Sequence, residues 1–266
     1  MIDNPRSPRV RAVAKLAKKD ARAETGRFLL EGPQAVAEAI AFRPELVYEV
    51  FATSAAIERH GDLARAAGAA GIAVERVAPA VLEAMADTVT PQGVVAVARQ
   101  FTSSLDDVVA LRPRLVAILE EVRDPGNAGT ILRAADAAGA DAVVFSGKSV
   151  DPYNPKVVRS TTGSLFHVPI VSGVDLPEVV AAMHAAGLAV VAADVKGDDL
   201  LEARARGELA APTAWLFGNE ARGLEDEQLA MADRALRLPI YGGAESLNLA
   251  TAASVCLYES AFALRA

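Results

Sequence analysis

The chain has 266 residues, 52% hydrophobic and 23% charged, with a net charge of −7, enough apolar material for two modest cored domains. No stretch reaches the roughly 18 uninterrupted apolar residues of a membrane span, which points to a soluble chain. The acidic balance argues weakly against nucleic acid, because phosphate binding wants an electropositive surface.

Charge is unevenly spread, however. Residues 1–30 hold eight Lys/Arg against three acids, a local +5, leaving 19 against 31 for the remainder. This cluster falls on the first predicted element, a helix through VRAVAKLAKKDARAE. A solvated helix face is the plain account of such charge, and an arm that meets phosphates the sharper one. Strand FLLEG, helix PQAVAEAIA, strand LVYEVFA, a helix ending near Gly71, strand IAVERV, helix PAVLEAMA and strand GVVAVARQ follow,. They make a compact α/β unit over residues 1–100. The polar, proline-bearing FTSSLDDVVALRPR breaks the rhythm and places a linker at 101–112,.

Over 113–266 the elements lengthen. Strand LVAILE leads to a helix from about Asn127 to Gly139, strand AVVFS, a helix around Val157, strand VPIV, helix PEVVAAMHAAG and strand LAVVAAD. Strand AWLFG, a short helix from Glu225, strand ALRLPI and a terminal helix from Ser246 complete the chain. Near-continuous apolar strands separated by helices predict a parallel sheet covered on both faces, so the fold class is α/β.

Met1 to Lys19 is basic but lacks an apolar block followed by a small-residue cleavage site, so the cytoplasm is the expected location,. Cys256 is a single cysteine, and His60, His167 and His184 show no ligand spacing, so neither an internal disulfide nor a metal is expected,.

Three loops at predicted strand ends join glycine to amide or carboxylate side chains: EVRDPGNAGTILRAADAAGA, GNEARGL and YGGAESLN. Glycine lets backbone approach a ligand, and helix N-termini offer unpaired N–H donors, so the combination suits a site that reads its ligand through main chain. A G-x-G-x-x-G fingerprint, a Walker A loop and a Gly-x-Ser-x-Gly elbow are all absent. Hydride transfer, nucleotide hydrolysis and triad chemistry lose their usual support.

Together, DPGNAGTILRAADAAG (124–139), LFGNEARGL (216–224) and LPIYGGAESLNLATAASVCLYE (238–259) resemble, in order and spacing, the three motifs of the SpoU, or TrmH-like, branch of the SPOUT methyltransferases. The stretch KLAKKDARAETGRFLLEGPQAVAEAI resembles the start of the small RNA-binding domain that many members carry. The resemblance implies a C-terminal SPOUT domain with a deep trefoil knot over 113–266, behind a smaller N-terminal α/β RNA-binding domain. It further implies a homodimer that uses S-adenosyl-L-methionine to methylate a ribose 2'-hydroxyl in ribosomal RNA, with 23S rRNA as the expected target. A transfer RNA is the alternative of the same chemistry, and a catalytically silent RNA-binding dimer the alternative of another class.

In the family pattern Arg133 is the principal catalytic residue. A guanidinium stays protonated below about pH 12, so it is a poor base. It is read here as gripping the target phosphate and stabilising the emerging alkoxide. Asn127, Glu220 and Asn248 complete the catalytic set, with Glu220 orienting Arg133 or Asn248 and offsetting the cofactor's sulfonium charge. Each also has an ordinary account as a first-turn or loop-tying group. Phe217, Gly218, Asn219, Leu238, Ile240, Ser246 and Leu247 are the expected cofactor contacts, largely through main chain, with Ser246 also capping the last helix. Asp194 stands where the family's loop often has small or hydroxyl residues, and Arg159 and Ser160 match a stretch beside the site. Arg9, Lys15, Lys18, Lys19, Arg22 and Arg27 are candidate phosphate contacts, which position RNA without reading its sequence. Few aromatics are available there, so recognition by folded RNA shape is expected.

Overall fold

The computed structural model describes residues 1–266. The chain divides into two compact units, Met1–Phe101 with Tyr153–His167, and Thr102–Pro152 with Val168–Ala266, so it crosses between them three times.

In the first unit, helix α1 (Pro8–Lys15) starts with proline at its first position, and the Ser7 hydroxyl caps it by accepting the Val10 N–H at 3.3 Å,. The single helix expected here is two, because the chain breaks at Leu16 to Lys18 before α2 (Lys19–Thr25). Arg22 takes up carbonyls freed by the break, donating to the Leu16 and Ala17 oxygens at 2.9 and 2.8 Å,. Strand β1 (Arg27–Glu31), α3 (Pro33–Phe42), β2 (Val47–Ala52), α4 (Ser54–Arg59), α5 (Gly61–Ala69), β3 (Val74–Arg76), α6 (Pro79–Met85) and β4 (Val94–Arg99) follow. The sheet order is β1-β4-β2-β3, with β4 antiparallel to both neighbours and β2 parallel to β3. Val10 and Val13 of α1, Leu29, Phe51, Val95 and Val97 of the sheet, and Val81 and Leu82 of α6 form one core. Each such side chain contributes about 1.5–3 kcal/mol by leaving water. The inserted segment packs a further helix, Pro155–Thr161, on β1, and the Tyr153 ring lies 4.7 Å from that of Phe28.

The second unit opens with α7 (Leu105–Ala110), which lies inside the stretch expected to be a linker. Its cause is a reciprocal cap: the Ser104 hydroxyl accepts the Asp107 N–H at 3.1 Å, and the Asp107 carboxylate accepts the Ser104 N–H at 2.8 Å,. Then come β5 (Leu115–Glu120), α8 (Pro125–Ala138) and β6 (Ala142–Ser146). The inserted Pro155–Thr161 helix, α9, precedes β7 (Ile170–Val174), α10 (Leu176–Ala185), β8 (Ala189–Asp199) and α11 (Leu200–Ala205). Strand β9 (Thr213–Phe217), α12 (Asp226–Leu229), β10 (Arg234–Arg237) and α13 (Leu249–Arg265) end the chain.

All six strands of this unit are parallel, in the order β10-β8-β9-β5-β6-β7. The central β5 and β9 are buried along their whole length, which is why LVAILE and TAWLF read as near-continuous apolar runs, broken only by Glu120 at one end and Thr213 at the other,. The pairing of β10 with β8 jumps from Ala192 to Asp198. At Gly197 a Cβ would stand 2.4 Å from the Ala235 carbonyl carbon, so the bulge closes only over glycine. Helix α13 buries Ala253, Cys256, Leu257, Ser260 and Ala261 and packs on α8 and β9. Burial pushes the Cys256 thiol up to about 12, which makes it a packing group,. No helix is long and apolar enough to cross a membrane.

Candidate functional site

The loops that follow β5, β9 and β10 meet through side chains. Leaving β5, Glu121 takes a left-handed conformation (φ 51°). Its carbonyl accepts the Asn219 side-chain amide at 2.8 Å, and its carboxylate pairs with Arg123 at 3.3 Å and with Arg222. Asp124 then caps α8, accepting the Asn127 N–H at 2.8 Å, and Pro125 fills the first helical position. The Glu220 carboxylate, from the loop after β9, accepts the N–H groups of Arg123 at 3.2 Å and Asp124 at 3.0 Å, and the Asn127 Nδ2 at 3.3 Å. On the other side of Asn127, its Oδ1 accepts Asn248 Nδ2 at 2.9 Å. Asn248 in turn accepts the Ala250 and Thr251 N–H groups at 3.0 and 3.2 Å and so caps α13. One chain of polar groups, Glu220 to Asn127 to Asn248, therefore sews together segments more than ninety residues apart.

The turn after β9 is closed on itself. Asn219 and Gly223 exchange backbone hydrogen bonds at 3.1 and 2.8 Å, and a Cβ on Gly218 would lie 2.7 Å from the Gly223 carbonyl carbon. Beyond β10, the exposed main chain of residues 240–247 makes no backbone hydrogen bond within the protein. It leaves a run of donors and acceptors for another molecule.

Below these loops lies a residue that sequence reasoning missed. Glu120, the last residue of β5, is 5% exposed. Its carboxylate accepts the Ser146 hydroxyl at 2.5 Å and the Gln228 amide at 2.9 Å, joining the ends of β5 and β6 to α12. Burial raises its pKa above the ordinary carboxylate value, against the lowering effect of those two hydrogen bonds,. The available signal was a lone acid ending an otherwise apolar strand.

Arg133 lies on the stripe of α8 left to solvent, with Thr130 and Ala137, while Ile131, Leu132 and Ala135 face the core. Its guanidinium makes no hydrogen bond or ion pair within the chain. Glu220 contacts neither Arg133 nor Asn248 and reaches Asn248 only through Asn127. Phe217 is wholly buried, so only its main chain can meet a ligand. The Asn219 side chain is used within the protein, its Nδ2 donating to the Glu121 carbonyl at 2.8 Å and its oxygen accepting the Ala221 N–H at 3.0 Å. Leu238 is half-buried, while Ile240, Ser246 and Leu247 are exposed. Ser246 does not cap the last helix, which starts at Leu249 under Asn248. The Asp194 carboxylate lies 3.9 Å from the position of a Cβ on Gly223, beside the closed turn.

In the first unit, Lys15, Lys18 and Lys19 are exposed and unpaired. Arg9 pairs with Glu49 at 2.7 Å, and the Arg27 guanidinium lies 3.8 Å from the centroid of the Tyr48 ring. The expectation for Arg22 is overturned: at 2% exposure, with its guanidinium on the Leu16 and Ala17 carbonyls, it is a structural residue and cannot reach a phosphate. Arg159 belongs to the first unit, where it donates to Glu31 at 2.7 Å and Asp87 at 3.0 Å.

Residues 114–258 match the SpoU rRNA Methylase family, and residues 29–104 match the RNA 2'-O ribose methyltransferase substrate binding family. The chain is 34% identical over 257 residues to the 23S rRNA (guanosine(2553)-2'-O)-methyltransferase RlmP of Bacillus subtilis, covering 97% of each. Its fold is similar to that of an AdoMet-bound rRNA methyltransferase from Sinorhizobium meliloti, with a TM-score of 0.82 at 31% identity over 97% of this chain and 96% of that one. It is also similar to the SpoU methyltransferase AviRb from Streptomyces viridochromogenes in complex with AdoMet, with a TM-score of 0.82 at 30% identity over 96% and 98% of the two chains.

Proposed function

This chain belongs to the SpoU rRNA Methylase family, and from that premise we propose that it transfers a methyl group from S-adenosyl-L-methionine to a ribose 2'-hydroxyl of ribosomal RNA, 23S rRNA first. The observation that carries this reading is the Glu220–Asn127–Asn248 chain, which gathers the three motif loops at one place.

S-adenosyl-L-methionine supplies, when bound, a sulfonium-activated methyl group. The residues present fit it. Gly218 keeps the turn after β9 tight, and the main chain of 240–247 offers unpaired amides and carbonyls. Ile240 and Leu247, 37% and 42% exposed, offer apolar surface for an adenine,. We assign the cofactor to the main chain of Phe217, Gly218, Leu238, Ile240 and Leu247, with Ser246 at the methionine end. A knotted crossing of this segment would bring these groups around it.

Arg133 is the group assigned to the RNA. Its unpaired guanidinium can grip the phosphate beside the target ribose through two parallel N–H bonds. It also stabilises the negative charge that builds on the 2'-oxygen as its proton leaves to solvent. Glu220 is held by three donors, which suits a brace for Asn127 and not a proton acceptor. Asn127 and Asn248 then present fixed amide dipoles beside the reacting centre.

Val255, Tyr258 and Phe262 form an exposed apolar stripe on α13, with the last two rings 5.6 Å apart. A second copy of this chain would cover it, giving a cytoplasmic homodimer. Sedimentation of the full chain and of Phe262→Glu tests this, with a dimer expected for the first and a monomer for the second. Incorporation of tritium from labelled S-adenosyl-L-methionine into a 23S rRNA transcript tests the activity. Transfer to the transcript is expected, and no transfer to any RNA overturns the reading.

A further inference from the structure

The first unit holds a cleft of about 190 Å³, lined among others by Gly32, Gln34, Thr90, Gln92, Arg159 and Thr162. It is smaller than the roughly 300–1,000 Å³ sites of drug-sized ligands and has room for one fragment of a larger molecule. Its charge is already matched internally. Arg159, the cation of the wall, is bound to the Glu31 and Asp87 carboxylates, so the cleft disfavours a phosphate. What remains without a hydrogen-bond partner in the protein are the carboxamides of Gln34 and Gln92 and the hydroxyls of Thr88, Thr90 and Thr162. Each of these groups both donates and accepts. That inventory suits an uncharged ligand whose edge alternates donors and acceptors, as a nucleobase does.

Thr162 adds an independent observation. It sits at φ 50°, ψ 28°, a left-handed conformation that a β-branched residue rarely holds,. Its neighbour Gly163 (φ 108°) is fixed as glycine, since a Cβ there would lie 2.4 Å from Glu38 Cγ. No such contact requires threonine at 162. Thr161 spends its hydroxyl on the Val158 carbonyl at 2.7 Å, whereas the Thr162 hydroxyl has no protein partner. The residue caps the end of α9 through its backbone, and strain kept there by a threonine whose hydroxyl makes no hydrogen bond inside the fold points to a binding group.

We propose that this cleft receives one nucleobase of the RNA substrate, turned out of its stack and read along its edge by Gln34, Gln92 and Thr162. The role presupposes that the chain acts on RNA. It gives the first unit a sequence-reading pocket, whereas its basic helices only position phosphates. The wall is shared: Gln34 and Gln92 lie in the substrate-binding match at 29–104, and Thr162 in the methylase match at 114–258.

The test is equilibrium filter binding of a 23S rRNA transcript to the full chain, with methyl transfer measured alongside. Gln34→Ala combined with Gln92→Ala is expected to raise Kd about tenfold. The slope of log Kd against log salt should not change, because no phosphate contact is lost. Thr162→Gly is expected to raise Kd about fivefold while its melting temperature stays level or rises, since the strain is released. A merely structural threonine would lose stability and affinity together. Kd values within about twofold of the parent for both variants, or an affinity loss in Thr162→Gly that tracks a lower melting temperature, would overturn the proposal. A parent chain whose binding depends on these residues but which transfers no methyl group leaves the cleft standing and removes the methyltransferase reading.

Discussion

Replacing Glu220 by glutamine changes one atom at the junction of the three loops. The Glu220 Oε1 accepts the Asp124 N–H at 3.0 Å and Asn127 Nδ2 at 3.3 Å, and Oε2 accepts the Arg123 N–H at 3.2 Å. The rotamer that loses least keeps an oxygen at the first position and turns the new NH₂ toward the Arg123 N–H. Arg123 is exposed, so water can take that donor over. The change therefore removes one charge-assisted bond and weakens two, at the N-terminus of α8 where a negative charge is favoured. Hydrogen bonds to charged groups contribute about 1.5–3 kcal/mol when shielded, and exposure discounts this, so a loss of about 1–2 kcal/mol follows. For a chain of this size that is a fall of about 2–8 °C in Tm, read by scanning calorimetry. Glu220→Ala loses all three bonds and should fall further. Methyl transfer should drop about a hundredfold in both, because Asn127 and Asn248 lose their brace. A Tm within about 1 °C of the parent for both variants would show that the network does not hold the loops.

Arg133→Ala should behave in the opposite way, with stability unchanged within about 0.5 kcal/mol because the exposed side chain makes no hydrogen bond or ion pair, and methyl transfer lowered about 10²–10³-fold. A similar activity in calorimetrically intact Arg133→Ala would remove this residue from the mechanism. Glu120 has a folded pKa raised by burial. Its stabilising contribution is complete below the unfolded carboxylate pKa and is lost as pH rises through the folded value. Glu120→Gln should flatten the dependence of Tm on pH across that window, and parallel curves for variant and parent would contradict the assignment. Replacing Lys15, Lys18 and Lys19 with Ala should leave Tm unchanged and lower the salt slope of RNA binding by about 2–3. An unchanged slope would mean that these lysines do not meet phosphates.

Legibility in the sequence followed physical type. The parallel sheet could be read because β5, β6 and β9 are buried on both faces and are apolar but for one polar residue at an end of each, Glu120, Ser146 and Thr213,. The three loops could be singled out because glycine stands beside amide and carboxylate side chains at strand ends, and the Glu220–Asn127–Asn248 bonds join them. Helix punctuation was harder. Ser104 and Asp107 make a capping box inside a stretch whose proline and polar residues suggested a linker. At the last helix, Ser246 and Asn248 are equally good caps by type; it is Asn248 that accepts the Ala250 and Thr251 N–H groups, with its Nδ2 tied to Asn127, a partner 121 residues away in sequence. Arg22 could not be told from its basic neighbours, since nothing local marks which side chain turns inward onto the carbonyls at a helix break. The inserted segment Tyr153–His167 was invisible for the same reason, because which core an element joins is a long-range property. Beyond its place as a lone acid ending an apolar strand, nothing local to Glu120 marks that burial makes its carboxylate a hub between the ends of β5 and β6 and α12.

The central claim is that the methyl group goes to a ribose oxygen of rRNA. The most direct measurement is to methylate a 23S rRNA transcript with labelled S-adenosyl-L-methionine, digest it to nucleosides and identify the labelled one. The account predicts a single 2'-O-methylnucleoside, absent when Arg133→Ala replaces the parent. Label on a base, or no label in any RNA offered, would contradict it.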